Sequence, residues 1–302
     1  EAAAENMLKT GDLDIVTGLN AAKFIELKSN AALTEKYDFV NNGSIQYARW
    51  IFNLRSPKLS DVRVRRALAQ VVDYDYALKT VLQGMAQGIV GPVNPAKSYY
   101  AKDLKPYAMN IAAARQLLAE AGWSDTDGNG VVDKMLGNQK VEMSLDLLAP
   151  TTNKINELMA TSLRETALQA GVKINVIGTD INKITADTKS GNFESAFLGA
   201  QLFPGHIELY SRFHSASLTP AGDNRTAFAN ARADSLIVAI RTTPDETQRK
   251  ELYRQIQHLL YEELPEVPLF APLQRIIVAK KFDYVLSANR PGYYEQFFRL
   301  IK

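Results

Sequence analysis

After Ser60 the apolar positions fall at helical spacing: Val62, Val64, Leu68, Val71 and Val72 lie mostly on one stripe, and Arg63, Arg65 and Arg66 cover much of the rest. Ser60 is the expected N-cap, with Asp61 in the first turn facing the positive end of the helix dipole. Asp73 is expected to cap a second helix carrying Ala77, Leu78, Val81 and Leu82, which stops at Gly84. On physical grounds this is a packed helical pair joining two parts of a larger fold, with the arginines on its solvated side.

The same reading extends along the chain. A helix over 2–8 leads through Gly11-Asp12 into a strand over 13–16, and a short helix covers 24–33. The run 44–54 alternates poorly but is rich in Ile, Tyr, Trp and Phe, which predicts a buried strand. Asn110 caps a helix that ends at Gly122. Alternation of Val141, Met143, Leu145 and Leu147 predicts one strand over 140–149. An amphipathic helix follows over 153–170, then a strand over 172–177, a helix over 181–189 and an apolar strand over 193–198. This alternation of strands and helices argues for βαβ units and an α/β fold. Beyond a helix over 231–241, Thr243-Pro244-Asp245-Glu246 has the form of a helix start, with Thr as N-cap, Pro at the first helical position and Glu three residues on. Strands are expected at 267–271 and 275–279.

Composition narrows the class. The 302 residues are 46% hydrophobic and 23% charged, as in a folded globular protein, and the net charge is +2. So small an excess argues against a dedicated nucleic-acid binder. No apolar run reaches the roughly 20 residues needed to cross a bilayer. The absence of cysteine excludes disulfides, thiol catalysis and zinc–thiolate sites.

Several motifs then appear in order. They are Asn53, Pro57, Asp61, Arg63-Val64-Arg65 and Ala67-Leu68; Gly91-Pro92-Val93-Asn94-Pro95; the helix from Ala112 to Glu120-Ala121-Gly122-Trp123; the run from Asn224 through Phe228, Asn230 and Asp234 to Leu236; and Leu264-Pro265-Glu266-Val267-Pro268-Leu269-Phe270. Lys9, Gly11, Asp14 and Ile15 add a sixth. In this order they resemble the family 5 solute-binding proteins of peptide and nickel ABC importers. The resemblance implies lobes of the periplasmic-binding-protein type II kind, with a mixed sheet flanked by helices. Residues 1–57 would form part of a first lobe, 58–280 a second α/β lobe, and 281–302 a segment returning to the first. The chain would be a carboxy-terminal portion of the family's full length, with one lobe complete and one partial. It would be a non-enzymatic, monomeric, periplasmic or extracytoplasmic binding protein, secreted or membrane-anchored, whose partners are a small solute or peptide and a membrane permease. A ligand-binding module of a sensor or regulator is the alternative, and a hydrolase on the same fold a further one.

The candidate chemistry is sparse. Asp125, Asp127, Asn129, Val131 and Asp133 have the spacing of a calcium loop, with Gly130 at its sixth position; Leu136 stands where the bidentate Glu belongs, so any calcium would be weakly held. The same residues suit a tight turn whose acids bond their own backbone amides. No cofactor is otherwise required. In peptide-binding relatives the place after Phe197 carries a Trp and an Asp that pairs with the ligand's amine; here that Asp falls on Phe203 or on Ala200, neither of which can hold an ammonium ion. Gln201, Phe203 and His206 are the expected cleft contacts, because loops after strands face the ligand in open α/β sheets. Trp50 and Asn53 are further candidates, with core packing as the competing role for Trp50. His206 and His214 are eight apart with no acid at ligand spacing, which argues against a zinc site, and His258 is expected on the surface of the long helix; neither a Gly-x-Ser-x-Gly elbow nor a Gly-rich phosphate loop is present.

Overall fold

The computed structural model describes residues 2–43, 45–202, 207–219, 221–287, 289 and 291–301. The strands in chain order are β1 (Ile15–Thr17), β2 (Tyr37–Asn42), β3 (Gln46–Phe52), β4 (Ala86–Gln87), β5 (Asp133–Leu136), β6 (Gln139–Glu142), β7 (Ser144–Pro150), β8 (Lys173–Thr179), β9 (Ser195–Gln201), β10 (Glu266–Pro272), β11 (Gln274–Ala279), β12 (Phe282–Asp283) and β13 (Arg299–Leu300). The helices are α1 (Ala2–Thr10), α2 (Ala21–Lys28), α3 (Ala31–Lys36), α4 (Val62–Ala69), α5 (Ile111–Glu120), α6 (Lys154–Gln169), α7 (Ile181–Ser190), α8 (Tyr210–Phe213), α9 (Ala231–Thr242) and α10 (Glu246–Glu263).

Two sheets organise the molecule. A six-stranded mixed sheet has the order β4-β10-β3-β9-β7-β8, and a three-stranded antiparallel sheet has the order β1-β11-β2. Within the larger sheet β7 lies parallel to β8 and β9, the mark of crossovers through α6 and α7. One of its faces carries Trp50, Phe52, Leu145, Leu147 and Phe197 against α4, α5 and α6. The other carries Ile51, Leu148, Ala196 and Leu198 against Ile184 of α7. A separate cluster packs α9 on α10 through Ile237, Ile240, Tyr253 and Ile256.

The two sheets are joined by a ribbon. β2 leads into β3 across 43–45, and β10 leads into β11 across Leu273; β2 pairs with β11, and β3 with β10. The chain therefore exchanges sheets between β2 and β3 and again at Leu273, between β10 and β11.

Several local expectations are corrected. The α4 cap is Asp61, whose side chain accepts from the Arg63 amide, and not Ser60. The α10 cap is Asp245, which accepts from Gln248, and not Thr243. The segment after Asp73 forms a π-helix over Tyr76–Val81. The single strand expected over 140–149 is two, because the Met143 amide turns to the Val132 carbonyl at 2.7 Å and β6 leaves the sheet to pair with β5. Arg65 does not belong to a solvated side: it is buried, and its guanidinium donates to the carbonyls of Leu59, Ser60, Glu263 and Leu264, tying α4 to the end of α10.

Candidate functional site

β7 and β9 run parallel, so their carboxyl ends emerge at one edge of the large sheet. β3 is antiparallel to β9 with Gln46 opposite Gln201, so the start of β3 meets the same edge. The ribbon crosses to the small sheet there. Among the described residues, cavities open along this edge at three places, each with Gln46 in its wall. One of about 470 Å³ is walled by Ala48, Met159, Phe197, Leu269 and Phe270. A second, of about 560 Å³, is walled by Arg49, Leu198, Gly199, Gln201, Arg212 and Arg225. The third, of about 320 Å³, lies between the sheets against Thr17, Ile45, Leu273 and Arg275. The two larger volumes are of the size that small-molecule sites occupy.

The end of β9 therefore faces open space, and Gln201 is exposed at its tip. Phe203 and His206 lie outside the described residues. Trp50 and Asn53 do not reach this edge, and strand direction is the reason. They sit towards the far end of β3, since only its first residues meet the cavities. Trp50 is fully buried, edge-on to Phe52 at 4.8 Å between ring centroids. Asn53 donates from Nδ2 to the carbonyls of Gly191 and Phe193 at 3.0 and 2.9 Å and accepts from the Arg55 amide, which spends its amide on holding the loop into β9.

The 125–133 loop lies away from this edge. Carboxylate oxygens of Asp125, Asp127 and Asp133 come within 4.8 Å of one another, as a cation site requires. Protein groups meet those oxygens as well. The amides of Gly128 and Gly130 donate to Asp125, and the amide and hydroxyl of Thr126 donate to Asp133. The Asn129 side chain caps the Val131 amide. The Lys140 ammonium stands 2.7 Å from Asp127 and 3.3 Å from Asp133 and so bridges the two carboxylates. Beyond Asp133 the chain continues as β5, not as the helix of an EF-hand.

A group that the motifs do not point to is built into the wall of the second cavity. Glu266 starts β10 diagonally across from Arg49 on β3, since Glu266 is opposite Ile51. Arg49 Nη1 donates to Glu266 Oε2 at 2.5 Å, and the Tyr47 hydroxyl donates to Oε1 at 2.6 Å. Arg212 of α8 reaches the same carboxylate at 3.0 Å and the Tyr47 hydroxyl. Burial pushes the Glu266 carboxyl up, but the Arg49 and Arg212 guanidiniums outweigh it and hold it at about 2. Burial pushes the Tyr47 phenol up, so it stays neutral. The sequence carried a signal for this cluster: Arg49 and Glu266 are lone, opposite charges inside apolar strands, and charges rarely bury unless paired.

Comparisons with known proteins extend this picture. The family description "Bacterial extracellular solute-binding proteins, family 5 Middle" matches residues 1–216. Among curated proteins, the oligopeptide-binding protein AppA of Bacillus subtilis is 27% identical over 292 residues, which is 93% of this chain and 50% of that protein. The nickel-binding periplasmic protein of Escherichia coli is 23% identical, covering 90% of this chain and 51% of its own length. The chain thus spans about half the length of the curated relatives it matches. Among solved structures, HbpA2 from Haemophilus parasuis superposes with a TM-score of 0.85 at 20% identity over 100% of this chain and 56% of its own. Bacillus subtilis AppA with a nonapeptide gives 0.79 at 24% identity over 100% and 58%. At these identities the structural likeness establishes the fold, a mixed α/β arrangement of the periplasmic-binding-protein kind.

Proposed function

The chain belongs to the bacterial extracellular solute-binding proteins of family 5, and from that premise we propose that it serves as the solute-capturing component of an ABC importer, without catalysis of its own. The solute would sit along the sheet edge where β7, β9 and the start of β3 meet the ribbon, and a membrane permease would receive it. The observation that carries this reading is the opening of the β9 tip, Gly199 to Gln201, onto cavities at the junction of the two sheets. Closure would come from bending where the ribbon passes between the two sheets, at Leu273 among the described residues, driven by contacts that exist only in the shut state. The names of relatives bracket the solute class broadly, from oligopeptides to nickel and heme. One feature bears on the class: the wall of the second cavity carries Arg49, Arg212 and Arg225. Such a protein is expected outside the cytoplasm; among the described residues no helix is long and apolar enough to cross a membrane.

The test is native mass spectrometry of the protein as purified from its own host. A reproducible retained small molecule, released on denaturation, is the expected result. Turnover of that molecule, or the absence of any bound species together with no binding in a solute screen, would overturn the reading.

A further inference from the structure

Two asparagines in the chain are followed directly by glycine, at Asn42-Gly43 and Asn129-Gly130. A glycine lets its own backbone nitrogen approach the side-chain carbonyl carbon of the preceding asparagine, because no Cβ restricts the chain. The structure treats the two pairs differently. The Gly130 amide donates to Asp125 Oδ2 at 2.9 Å, while Asn129 accepts from the Val131 amide at Oδ1 and donates from Nδ2 to Glu142. Nitrogen and side chain are thereby drawn to different partners. Asn42 ends β2, opposite Gln274 at the end of the ladder with β11, and Gly43 lies beyond it. The Gly43 amide donates to Oδ1 of Asn42 itself at 2.9 Å, so this nitrogen already lies against the side-chain amide. Asn42 Nδ2 donates to the carbonyls of Ser287 and Gly292 at 2.5 and 3.0 Å, which fixes the amide there. Both Asn42 and Gly43 are half-buried, so water reaches them.

We propose that Asn42 is a site of spontaneous deamidation in the folded protein, and that the fold protects Asn129. The Gly43 nitrogen gives up its proton to solvent base and bonds to Cγ of Asn42. The Cγ–Nδ2 bond breaks, and the nitrogen takes a proton from water and leaves as ammonia. One water then opens the succinimide ring at either carbonyl, giving aspartate or isoaspartate. The sum is one water consumed and one ammonia released, with no oxidant, reductant or enzyme. Either product changes the contact with the tail of the chain. A donor to Ser287 and Gly292 becomes a carboxylate, which faces their two carbonyl oxygens and repels them. Those residues close a turn of their own, the Ser287 amide donating to the Gly292 carbonyl at 2.9 Å. Deamidation therefore detaches this turn from the end of β2, beside the passage between the two sheets. The change is one-way, so molecules acquire it with age.

The test incubates the intact protein at mildly alkaline pH, where the attacking nitrogen loses its proton more readily. Tryptic peptides 37–49 and 116–134 are then followed by mass spectrometry, with fragment ions separating Asn42 from Asn41. Asn42 is expected to convert to aspartate and isoaspartate while Asn129 stays intact. In the guanidinium-unfolded chain the two should convert at similar rates, since both precede glycine. Gly43→Ala should slow the reaction about fivefold by restricting the backbone, and it should fold, because a Cβ there meets nothing within 4 Å. Equal rates at the two sites in the folded protein, no conversion at Asn42 once the unfolded chain has reacted, or an unslowed Gly43→Ala overturns the proposal. Asn42→Asp reproduces one product. Faster hydrogen exchange at the Ser287 and Gly292 amides is expected in that variant, and unchanged exchange overturns the detachment of the turn.

Discussion

Replacing Glu266 by Gln keeps the shape of the side chain and removes its charge. Arg49 and Arg212 then face each other across a neutral amide, deep between β3, β10 and α8. Removing one partner of a buried ion pair costs about 3–5 kcal/mol, because the charge left behind stays desolvated. The pH dependence gives an independent check. The folded carboxyl titrates at about 2 against 4.5 ordinarily, which corresponds to about 3 kcal/mol of stability. Since the folded value is the lower one, this contribution is complete above about pH 4.5 and is lost as pH falls towards 2. Urea midpoints measured from neutral to acidic pH should therefore show wild type well above Glu266→Gln at neutral pH, with the gap closing below about pH 4.5. A neutral-pH gap under about 1 kcal/mol, or one that stays constant through the acid range, would refute the claim that Arg49 and Arg212 hold this carboxylate ionised.

Three further outcomes are expected. Arg65→Met should destabilise by about 3 kcal/mol in urea, because four backbone carbonyls lose a buried donor; a loss near zero would return the residue to the solvated side. Trp50→Ala should cost about 3–5 kcal/mol yet leave the set of solutes seen by native mass spectrometry unchanged; a changed set with unaltered stability would place Trp50 at the cleft. Lys140→Ala should free the oxygens of Asp127 and Asp133, so that calcium heats in isothermal titration appear or strengthen in the variant; identical titrations would show that the ammonium does not compete for that position.

What could be read from the residues was local order and class. The helix stripes, the βαβ alternation over 140–198 and the family motifs all speak through nearby sequence, and the large sheet bears out the α/β class. What could not be read depended on partners far away. β2, Tyr-Asp-Phe-Val-Asn-Asn, is half-buried with polar ends, and it is a strand because β11 pairs with it from the other end of the chain. Arg65 looks like a surface arginine until α10 brings its final carbonyls alongside. The break between β6 and β7 was hidden because Met143 keeps the inward alternation while its amide bonds elsewhere. At the site, Gln201 lies at the open edge while Trp50 and Asn53 lie away from it, a placement set by the direction of β3, which cannot be known before its neighbours are. Arg49 and Glu266 were visible as misfit charges, but only the antiparallel register joined them.

The ribbon also constrains how the polypeptide can be made. Tyr47 and Glu266 bond to each other from positions 219 residues apart. During synthesis β3 leaves the ribosome with Trp50, Ile51 and Phe52 exposed, and neither ladder neighbour exists yet: β9 starts at Ser195 and β10 at Glu266. The central sheet can close only after Glu266, 219 positions beyond Tyr47, has been made, so an apolar strand waits without its ladder neighbours over that interval.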